Sequence, residues 1–241
     1  YEIMPSLVGS EMCIRDSGSG KSSTIPNIIT ELMRNNHDIH CLVVRKVYNT
    51  VKDSVFAKTK WAITKQEFSE KDYKYTSSPY EITMRDTGQK IFFRGADDKD
   101  KIKSIAPEFG YIGIVWFEEL DQFAGPEEIR NIEQSAIRGG DSAWIFKSFN
   151  PPKSANNWAN QYLEVPKDNR MIVRSTYLDV PKEWLGQPFI DEAEHLKAIR
   201  PEVYEHEYLG IANGNGGAVF EYVEVREITD EEIAQMDRIY Q

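Results

Sequence analysis

The sequence predicts an α/β fold with a largely parallel sheet flanked by helices, and three observations lead to that prediction. Short apolar runs alternate along the chain with segments of helical spacing, which is the pattern of β-α-β units. A glycine- and serine-rich segment opens the first helical segment, as in folds that hold an anion at a helix N-terminus. Of the 241 residues, 40% are hydrophobic and 28% are charged, so the chain has enough apolar material for a sizeable core.

The strands and helices can be placed from the spacing of apolar residues. Residues 39–44 form a short apolar run that predicts a strand buried on both faces of the sheet, and residues 111–117 form a second buried run. Residues 143–149 and 171–175 are predicted to be a third and a fourth core strand. Tyr80–Met84 and residues 91–93 flank an Asp-Thr-Gly turn, which predicts a small antiparallel hairpin insertion. Helical spacing is found at residues 20–35, 51–68, 126–137, 189–199 and 202–209.

The charge balance limits the kinds of partner that the chain can bind. The 39 acidic residues outnumber the 29 Lys and Arg residues, and the net charge is −10. This argues against a protein that coats nucleic acid with its whole surface, and it permits a local grip. No apolar run approaches the ~20 residues of a membrane span, and Cys13 and Cys41 cannot form a disulfide framework. A cytoplasmic protein without membrane contact is therefore expected.

Residues 1–17 do not resemble the rest of the chain. They lack the basic start and unbroken apolar stretch of a secretory signal, and they lack the β-branched run of a buried strand. The segment resembles translated sequencing-adaptor read-through, so it is expected to be non-native, with the natural sequence beginning near Gly18. The alternative is a divergent N-terminal strand around residues 3–8.

The strongest chemical signal is the segment that opens the first predicted helix. It consists of Gly18, Ser19, Gly20, Lys21, Ser22 and Ser23. Small residues allow successive backbone N–H groups to surround a phosphate. Lys21 would then reach the β- and γ-phosphates of a nucleotide, and the Ser22 hydroxyl would bind Mg²⁺. The full G-x-x-x-x-G-K-[ST] signature has a glycine where this chain has Arg15, and a helix cap without a ligand is the alternative.

A second motif is the pair of acids that follows the predicted strand at residues 111–117. At the carboxyl end of a parallel strand beside the phosphate loop, Glu118 can hold the metal through water. Glu119 is expected to point to the opposite face and to polarise the attacking water. A strand that merely stops at a charged turn is the alternative, but two such motifs in this order favour ATP hydrolysis.

A third candidate is Asn150, which follows the next core strand and precedes Pro151 and Pro152. Its carboxamide can hydrogen-bond both the γ-phosphate and the attacking water, and the prolines force the chain out of the sheet. The alternative is a strand-terminating turn. Together with the first two motifs, Asn150 indicates a γ-phosphate sensor in a P-loop NTPase that uses ATP and Mg²⁺.

These motifs and the segments around them resemble the large subunit of tailed-phage terminases, of the type found in PBSX-like prophages. The resemblance is carried by GSGKSS, LVVRKVYNTVKDSVF, IFFRGADDKDKIKSI, IVWFEELDQF and SFNPP, and it continues through STYLDVPKEWLG to YEHEYLG. It implies an ATPase domain over residues 18–212. It also implies that residues 213–241 form a hinge and the start of a linker to a missing nuclease domain.

The resemblance implies a motor that hydrolyses ATP to thread double-stranded DNA into a capsid. The implied partners are a portal protein, a small terminase subunit and further copies of the chain in a homo-oligomeric ring, all in the host cytoplasm. In the family's terms, Lys21 and Ser22 match the nucleotide loop. Glu118 matches the metal-binding acid and Glu119 the catalytic acid. Residues 148–151 match the motif that couples hydrolysis to DNA movement.

An activating arginine is predicted at Arg45 or Arg94. Arg45 ends a core strand at the catalytic edge, and Arg94 ends the hairpin, so either can contact the γ-phosphate of a neighbouring subunit as an arginine finger. The alternative for each is an ion pair with a local acid, such as Asp97 or Asp98 for Arg94.

Two alternative functions stay open. One is another P-loop enzyme, such as a helicase that single-stranded DNA stimulates, or a small-molecule kinase, although the sequence shows no arginine-rich lid. The other is a catalytically dead, truncated fragment whose altered loop binds no nucleotide. Binding of ATP·Mg²⁺ separates this last alternative from the others.

Overall fold

The structure is a computed structural model that describes residues 11–17, 21–66 and 70–214. Its sheet is formed by β1 (Glu11–Ser17), β2 (Ile39–Arg45), β3 (Tyr73–Ser77), β4 (Tyr80–Met84), β5 (Lys90–Gly95), β6 (Tyr111–Glu118), β7 (Trp144–Phe149) and β8 (Arg170–Thr176). The spatial order is β3-β4-β5-β2-β6-β7-β1-β8. All neighbours from β5 to β8 in that order pair in parallel. The predicted α/β fold with a largely parallel sheet is confirmed.

The helices follow the predicted pattern. They are α1 (Lys21–Asn35), α2 (Ala57–Lys65), α3 (Lys99–Lys103), α4 (Pro126–Ala136), α5 (Trp158–Glu164), α6 (Lys182–Leu185), α7 (Gln187–Ile199) and α8 (Pro201–Leu209). A π-helix, Lys52–Phe56, precedes α2 directly, so the long helix predicted there is a π-helix followed by an α-helix. The sequence analysis missed α3, α5 and α6, because helices of one or two turns leave little periodicity to detect. Within the described residues, no helix is both long and apolar enough to cross a bilayer.

Helices cover both faces of the parallel strands. The side chains of β6 alternate between the two faces, so Trp116 and Phe117 are buried on opposite sides. The segments that carry α1 and α2 pack on the Trp116 face, where Ile25, Ile29 and Ile63 are buried. The helices α4 and α5 pack on the Phe117 face and bury Ile129, Ile132 and Leu163. Burial on both faces explains why the central strands read as continuous apolar runs.

The antiparallel part of the sheet lies at one edge. β4 pairs antiparallel with β5, which confirms the predicted hairpin, and β3 adds a further antiparallel strand that the sequence analysis missed. The sequence of β3, Tyr-Lys-Tyr-Thr-Ser, has only two apolar residues, and four of its five residues are at least partly exposed. A strand with one exposed face at the edge of a sheet needs few apolar residues, and its sequence signal is correspondingly weak.

The expectation that residues 1–17 contain no buried strand is wrong for Glu11–Ser17. This segment forms β1, which lies between β7 and β8 and pairs in parallel with both. Its Met12, Cys13 and Ile14 are buried although none of them continues into a longer apolar run. Residues 3–8, the alternative location for a strand, lie outside the described residues. Whether the segment belongs to the natural sequence stays a prediction.

A buried ionic cluster lies at the amino end of β1. The Glu11 carboxylate contacts Lys147 at 3.0 Å, Lys167 at 2.7 Å and Arg170 at 2.8 Å. Lys147, on the adjacent β7, also contacts Glu133 of α4 at 2.7 Å. Burial raises the pKa of Glu11, but the attraction of Lys147 and the hydrogen bonds that the carboxylate accepts outweigh burial and lower the pKa to about 2. These paired charges hold β1, β7, β8 and α4 together.

The last three helices form a small separate core. Tyr177, Ala193 and Tyr204 are buried in it, and the hydroxyl groups of the two tyrosines are 2.8 Å apart. The chain after α8 returns to the segment beyond β7, where Gly214 N–H donates to the Lys153 carbonyl at 2.9 Å. Most of the predicted hinge and linker at residues 213–241 lies outside the described residues.

Candidate active site

The predicted site residues come from neighbouring strands that end at one edge of the sheet. Glu118, at the end of β6, lies beside Ser148 of β7, and β2 ends at Arg45 on the other side of β6. β7 pairs with β1, which leads toward the start of α1. Because the carboxyl ends of parallel strands meet at the same edge, Arg45, Glu118, Asn150 and the N-terminus of α1 lie on one side of the molecule.

The predicted phosphate loop lies only partly within the described residues. The structure does not describe Gly18, Ser19 and Gly20 of this loop, nor the side chains of Lys21 and Ser22. The backbone of Lys21 begins α1, and the carbonyl of Ser23 accepts a hydrogen bond from Asn27 Nδ2 at 3.0 Å. A strand followed after three residues by a helix is the order that a phosphate loop needs, because free N–H groups at a helix N-terminus face the residues that precede the helix. That the loop wraps around a phosphate stays a prediction.

Glu118 is a buried carboxylate held by two cationic side chains. Its Oε2 lies 3.2 Å from Nε of Arg45, and its Oε1 accepts a hydrogen bond from Lys58 Nζ at 3.1 Å. Burying a lone carboxylate is costly, and a nearby cation offsets that cost. Lys58 comes from the first turn of α2, so the site includes a helix that no sequence motif marks.

Glu119, the residue directly after β6, does not have the extended backbone of a strand. Its backbone is left-handed, with φ 55° and ψ 57°, which costs a residue with a side chain roughly 1–2 kcal/mol. Its carboxylate bonds to Arg45, the same guanidinium that contacts Glu118. The expectation that the two acids point to opposite faces is therefore wrong, because the left-handed residue breaks the alternation of the strand. The half-exposed Glu119 carboxylate stays accessible from solvent.

Arg45 and Lys46, which are consecutive in the chain, bind different acids at this edge. The Arg45 guanidinium is buried and also donates to the Thr50 carbonyl at 3.2 Å. Lys46 donates to both carboxylate oxygens of Glu128, at 2.9 and 2.8 Å, and Glu128 also accepts from the backbone of Ala124. Lys46 thereby fixes α4 to the end of β2, and Arg45 is left to the two acids.

The segment after β7 carries Asn150, two residues beyond the residue that pairs with Glu118. Ser148, the residue level with Glu118, is buried, and its Oγ accepts a hydrogen bond from Trp116 Nε1 at 2.9 Å. Asn150 follows on the exposed surface, and Pro151 is buried directly after it. Asn160 of α5 donates to the carbonyls of two residues in the following loop, at 2.9 and 2.8 Å. Asn150 is thus carried by a short, well-anchored segment.

Arg94 forms an intramolecular ion pair. Its guanidinium lies 2.7 Å from Glu81 of β4 and donates to its neighbour's backbone carbonyl at 3.0 Å. The two acids considered in the sequence analysis bind elsewhere, since Asp97 accepts from the backbone of Tyr48 and Asp98 caps α3. The alternative of a local ion pair is therefore what the structure shows for Arg94, with Glu81 as the acid.

The donor groups at this edge fit a metal that relies on its nucleotide for ligands. Within the described part of the chain, no three His, Cys, Asp or Glu side chains cluster closely enough to hold a metal ion by themselves. Mg²⁺ is bound mainly by one or two carboxylates or hydroxyls together with waters and phosphate oxygens. The single carboxylate of Glu118, at the end of the strand next to β7, fits that coordination.

Sequence reasoning missed Lys58, Lys46 and Glu128. No local pattern marks them, because each gains its partner from an element distant in sequence. Glu128 is buried in the first turn of α4, a position where an acid also suits the helix dipole, so an acid there does not by itself indicate a buried ion pair.

Comparisons with known proteins agree on one family. The family model described as phage terminase large subunit matches residues 10–211. The terminase large subunit of Bacillus phage SPP1 is 42% identical over 234 residues, covering 93% of this chain and 54% of that protein. The PBSX phage terminase large subunit of Bacillus subtilis (strain 168) is 24% identical over 225 residues, covering 86% of this chain and 50% of that protein. The chain thus spans about half the length of the curated relatives it matches.

Solved structures share the fold. The large terminase of a thermophilic bacteriophage has a TM-score of 0.65 at 14% identity, and the match covers 87% of this chain and 50% of that one. The ATPase domain of the Thermus phage P74-26 large terminase has a TM-score of 0.58 at 10% identity, covering 83% of this chain and 87% of that one. The thermophilic phage protein has also been solved with ADP and with ATP-gamma-S.

Proposed function

Because the chain belongs to the phage terminase large subunit family, we propose that it is the ATPase part of a motor that moves double-stranded DNA into a viral capsid. The observation that carries the proposal is the pair Glu118 and Glu119 at the carboxyl edge of the sheet. The strand that ends at Glu118 pairs with β7, which precedes Asn150, and α1 begins at the same edge. Two carboxylates, an amide and a helix N-terminus at one edge of a parallel sheet support the proposal of a nucleotide site there.

Nucleotide binding is assigned to Gly18, Ser19, Gly20, Lys21, Ser22 and Ser23. Backbone N–H groups of this segment and the α1 N-terminus attract the phosphates, and Lys21 neutralises them. Ser22 and Glu118 would hold Mg²⁺, which screens the charge that develops on the phosphates during hydrolysis. The structural neighbour solved with ADP and with ATP-gamma-S supports nucleotide binding, and the choice of residues rests on the sequence motif.

Hydrolysis is assigned to Glu119, which accepts a proton from the attacking water, and to Asn150, which orients that water. The Arg45 guanidinium occupies the Glu119 carboxylate, so Glu119 has to separate from Arg45 before it can accept a proton from water. Arg45 and Arg94 stay the candidates for an arginine finger toward a neighbouring subunit. Each is paired within its own chain, so that role requires an exchange of partners.

The proposed partners are double-stranded DNA, a portal protein, a small terminase subunit and other copies of the chain in a ring, in the cytoplasm of the host. A net charge of −10 suits a motor that grips the DNA backbone over a small area. A packaging motor has to pass any sequence, so backbone contacts serve the task and base contacts would hinder it.

The central experiment compares ATP turnover and ATP binding in Glu119→Gln and in the unchanged chain. The amide keeps the size of the side chain but does not accept a proton, so turnover should fall about 10²–10⁴-fold while the dissociation constant for ATP·Mg²⁺ stays close to the original. Glu127→Gln, an exposed acid in the first turn of α4, is the control and should change neither quantity.

Three results would contradict the proposal. Near-normal turnover in Glu119→Gln would remove the proposed base. Absence of calorimetric ATP·Mg²⁺ binding to the unchanged chain would favour the catalytically dead fragment. ATP-dependent strand separation of a forked duplex, stimulated by single-stranded DNA, would favour the helicase alternative.

A further inference from the structure

We infer that Lys58 is a displaceable counter-ion, which occupies the Glu118 carboxylate until a divalent cation binds there. The inference rests on the proposed role of Glu118 as the metal-binding acid. It concerns a residue that no sequence motif marks, on a helix outside the phosphate loop and the strand ends.

The two cations on Glu118 differ in how firmly they are held. The side chain of Arg45 is 8% exposed and reaches Glu118, Glu119 and the Thr50 carbonyl together. The side chain of Lys58 is 39% exposed, and its ammonium lies 3.1 Å from Glu118 Oε1. A lysine ammonium on a flexible stem regains its hydration easily, whereas a buried guanidinium with several acceptors does not. Lys58 is therefore the more easily displaced of the two cations on Glu118.

The chain before α2 positions Lys58 over the carboxylate. The π-helix Lys52–Phe56 lies between β2 and α2, and Lys58 follows it in the first turn of α2. Ser54 of the π-helix donates to the Thr50 carbonyl at 2.6 Å, the same carbonyl that Arg45 contacts. π-Helical turns are frequent at functional sites, because the wider turn changes the direction of the side chains that follow.

The consequence is competition between Lys58 and a metal ion for one carboxylate oxygen. Glu118 is buried and needs a cation, so Lys58 stabilises the site in the absence of metal. A divalent cation at Glu118 repels the nearby ammonium, which then moves into solvent. Removal of the Lys58 charge should therefore strengthen metal binding to the nucleotide-free protein by about tenfold, the scale on which a charge this close changes the proton affinity of a carboxylate.

The test is a titration of the nucleotide-free protein with Mn²⁺, which replaces Mg²⁺ and reports free metal by its electron paramagnetic resonance signal. Lys58→Met should bind Mn²⁺ about tenfold more tightly than the unchanged chain. Lys52→Met removes the same charge from an exposed lysine of the preceding π-helix and should change the affinity by less than about twofold, since salt screens it. The double variant Lys58→Met with Glu118→Gln should lose the gain.

Equal affinities for Lys58→Met and Lys52→Met would overturn the inference, as would a gain that persists in the double variant or an absence of Mn²⁺ binding to Lys58→Met. A second measurement uses acetylation of lysines followed by mass spectrometry. Mg²⁺ should accelerate the modification of Lys58 and leave that of Lys52 unchanged. Neither measurement involves turnover, so a failure of the proposed hydrolysis at Glu119 would be seen separately.

Discussion

Neutralising Glu11 should remove a large part of the protein's stability, and the structure sets the size of the effect. The carboxylate is buried at the start of β1 and contacts Lys147, Lys167 and Arg170 at 3.0, 2.7 and 2.8 Å. Glu11→Gln keeps the shape of the side chain but leaves three cations without this partner. Breaking a buried ion pair from one side typically costs about 3–5 kcal/mol.

The pKa of Glu11 gives an independent value for the free energy that its charged contacts contribute to folding. It falls from 4.5 to about 2, since the attraction of Lys147 and the hydrogen bonds outweigh the opposing effect of burial. At 1.36 kcal/mol per pKa unit, this corresponds to about 3 kcal/mol of folding free energy. A lowered pKa favours the folded state above the unfolded pKa, so the contribution is complete above about pH 4.5 and is lost as the pH falls to about 2.

The assay is urea unfolding followed by circular dichroism at several pH values. Near neutral pH, Glu11→Gln should lower the free energy of unfolding by about 3 kcal/mol, which corresponds to a decrease of about 6–12 °C in Tm for a chain of this size. The difference from the unchanged chain should shrink as the pH falls through the range of the Glu11 titration. Glu108→Gln, which removes an exposed acid paired with Lys90, is the control and should have little effect. Equal stability of Glu11→Gln and the unchanged chain near neutral pH would refute the reasoning.

Two further predictions concern charges elsewhere in the molecule. Arg94→Met should cost roughly 1.5–3 kcal/mol in urea unfolding, because the buried guanidinium loses its charged bond to Glu81; no loss would mean that the pair contributes little and that Arg94 is free for another role. Duplex DNA should bind weakly and without base preference in a salt titration with two unrelated sequences. Tight binding at physiological salt that differs more than about tenfold between them would contradict the motor and favour a sequence-specific regulator.

The parallel core could be predicted from the sequence because strands buried on both faces consist of consecutive apolar residues. β6 is of this kind, and Glu118 at its end and Asn150 after β7 could be assigned to one edge. β1 could not be predicted, because a seven-residue strand with three buried apolar residues resembles a loop in sequence. The ion pairs of Glu11 with Lys147 and Arg170 help to position β1, and they join residues that are far apart in the chain.

The geometry of the two acids also depends on information that a strand pattern does not contain. Alternation along β6 correctly places Trp116 and Phe117 on opposite faces, and it fails one residue beyond Glu118. Glu119 adopts a left-handed backbone, which brings both carboxylates to Arg45. Such a conformation persists only where surrounding contacts stabilise it, so the sequence of the strand alone does not indicate it.

The Glu11 and Glu118 charge clusters differ in how many buried cations each carboxylate retains when its exposed partner leaves. At the amino edge, the side chains of Glu11 and Lys147 are 1% and 0% exposed, so separating them would leave two unsolvated charges in the interior. Glu11 also has an exposed partner, Lys167, but without it the carboxylate keeps both Lys147 and Arg170, whose side chains are buried. At the carboxyl edge, Glu118 is bonded to buried Arg45 and to Lys58, whose side chain is 39% exposed. The Glu11 cluster therefore stays neutralised by buried cations, whereas Glu118 depends on Lys58 or on a metal ion for its second positive charge.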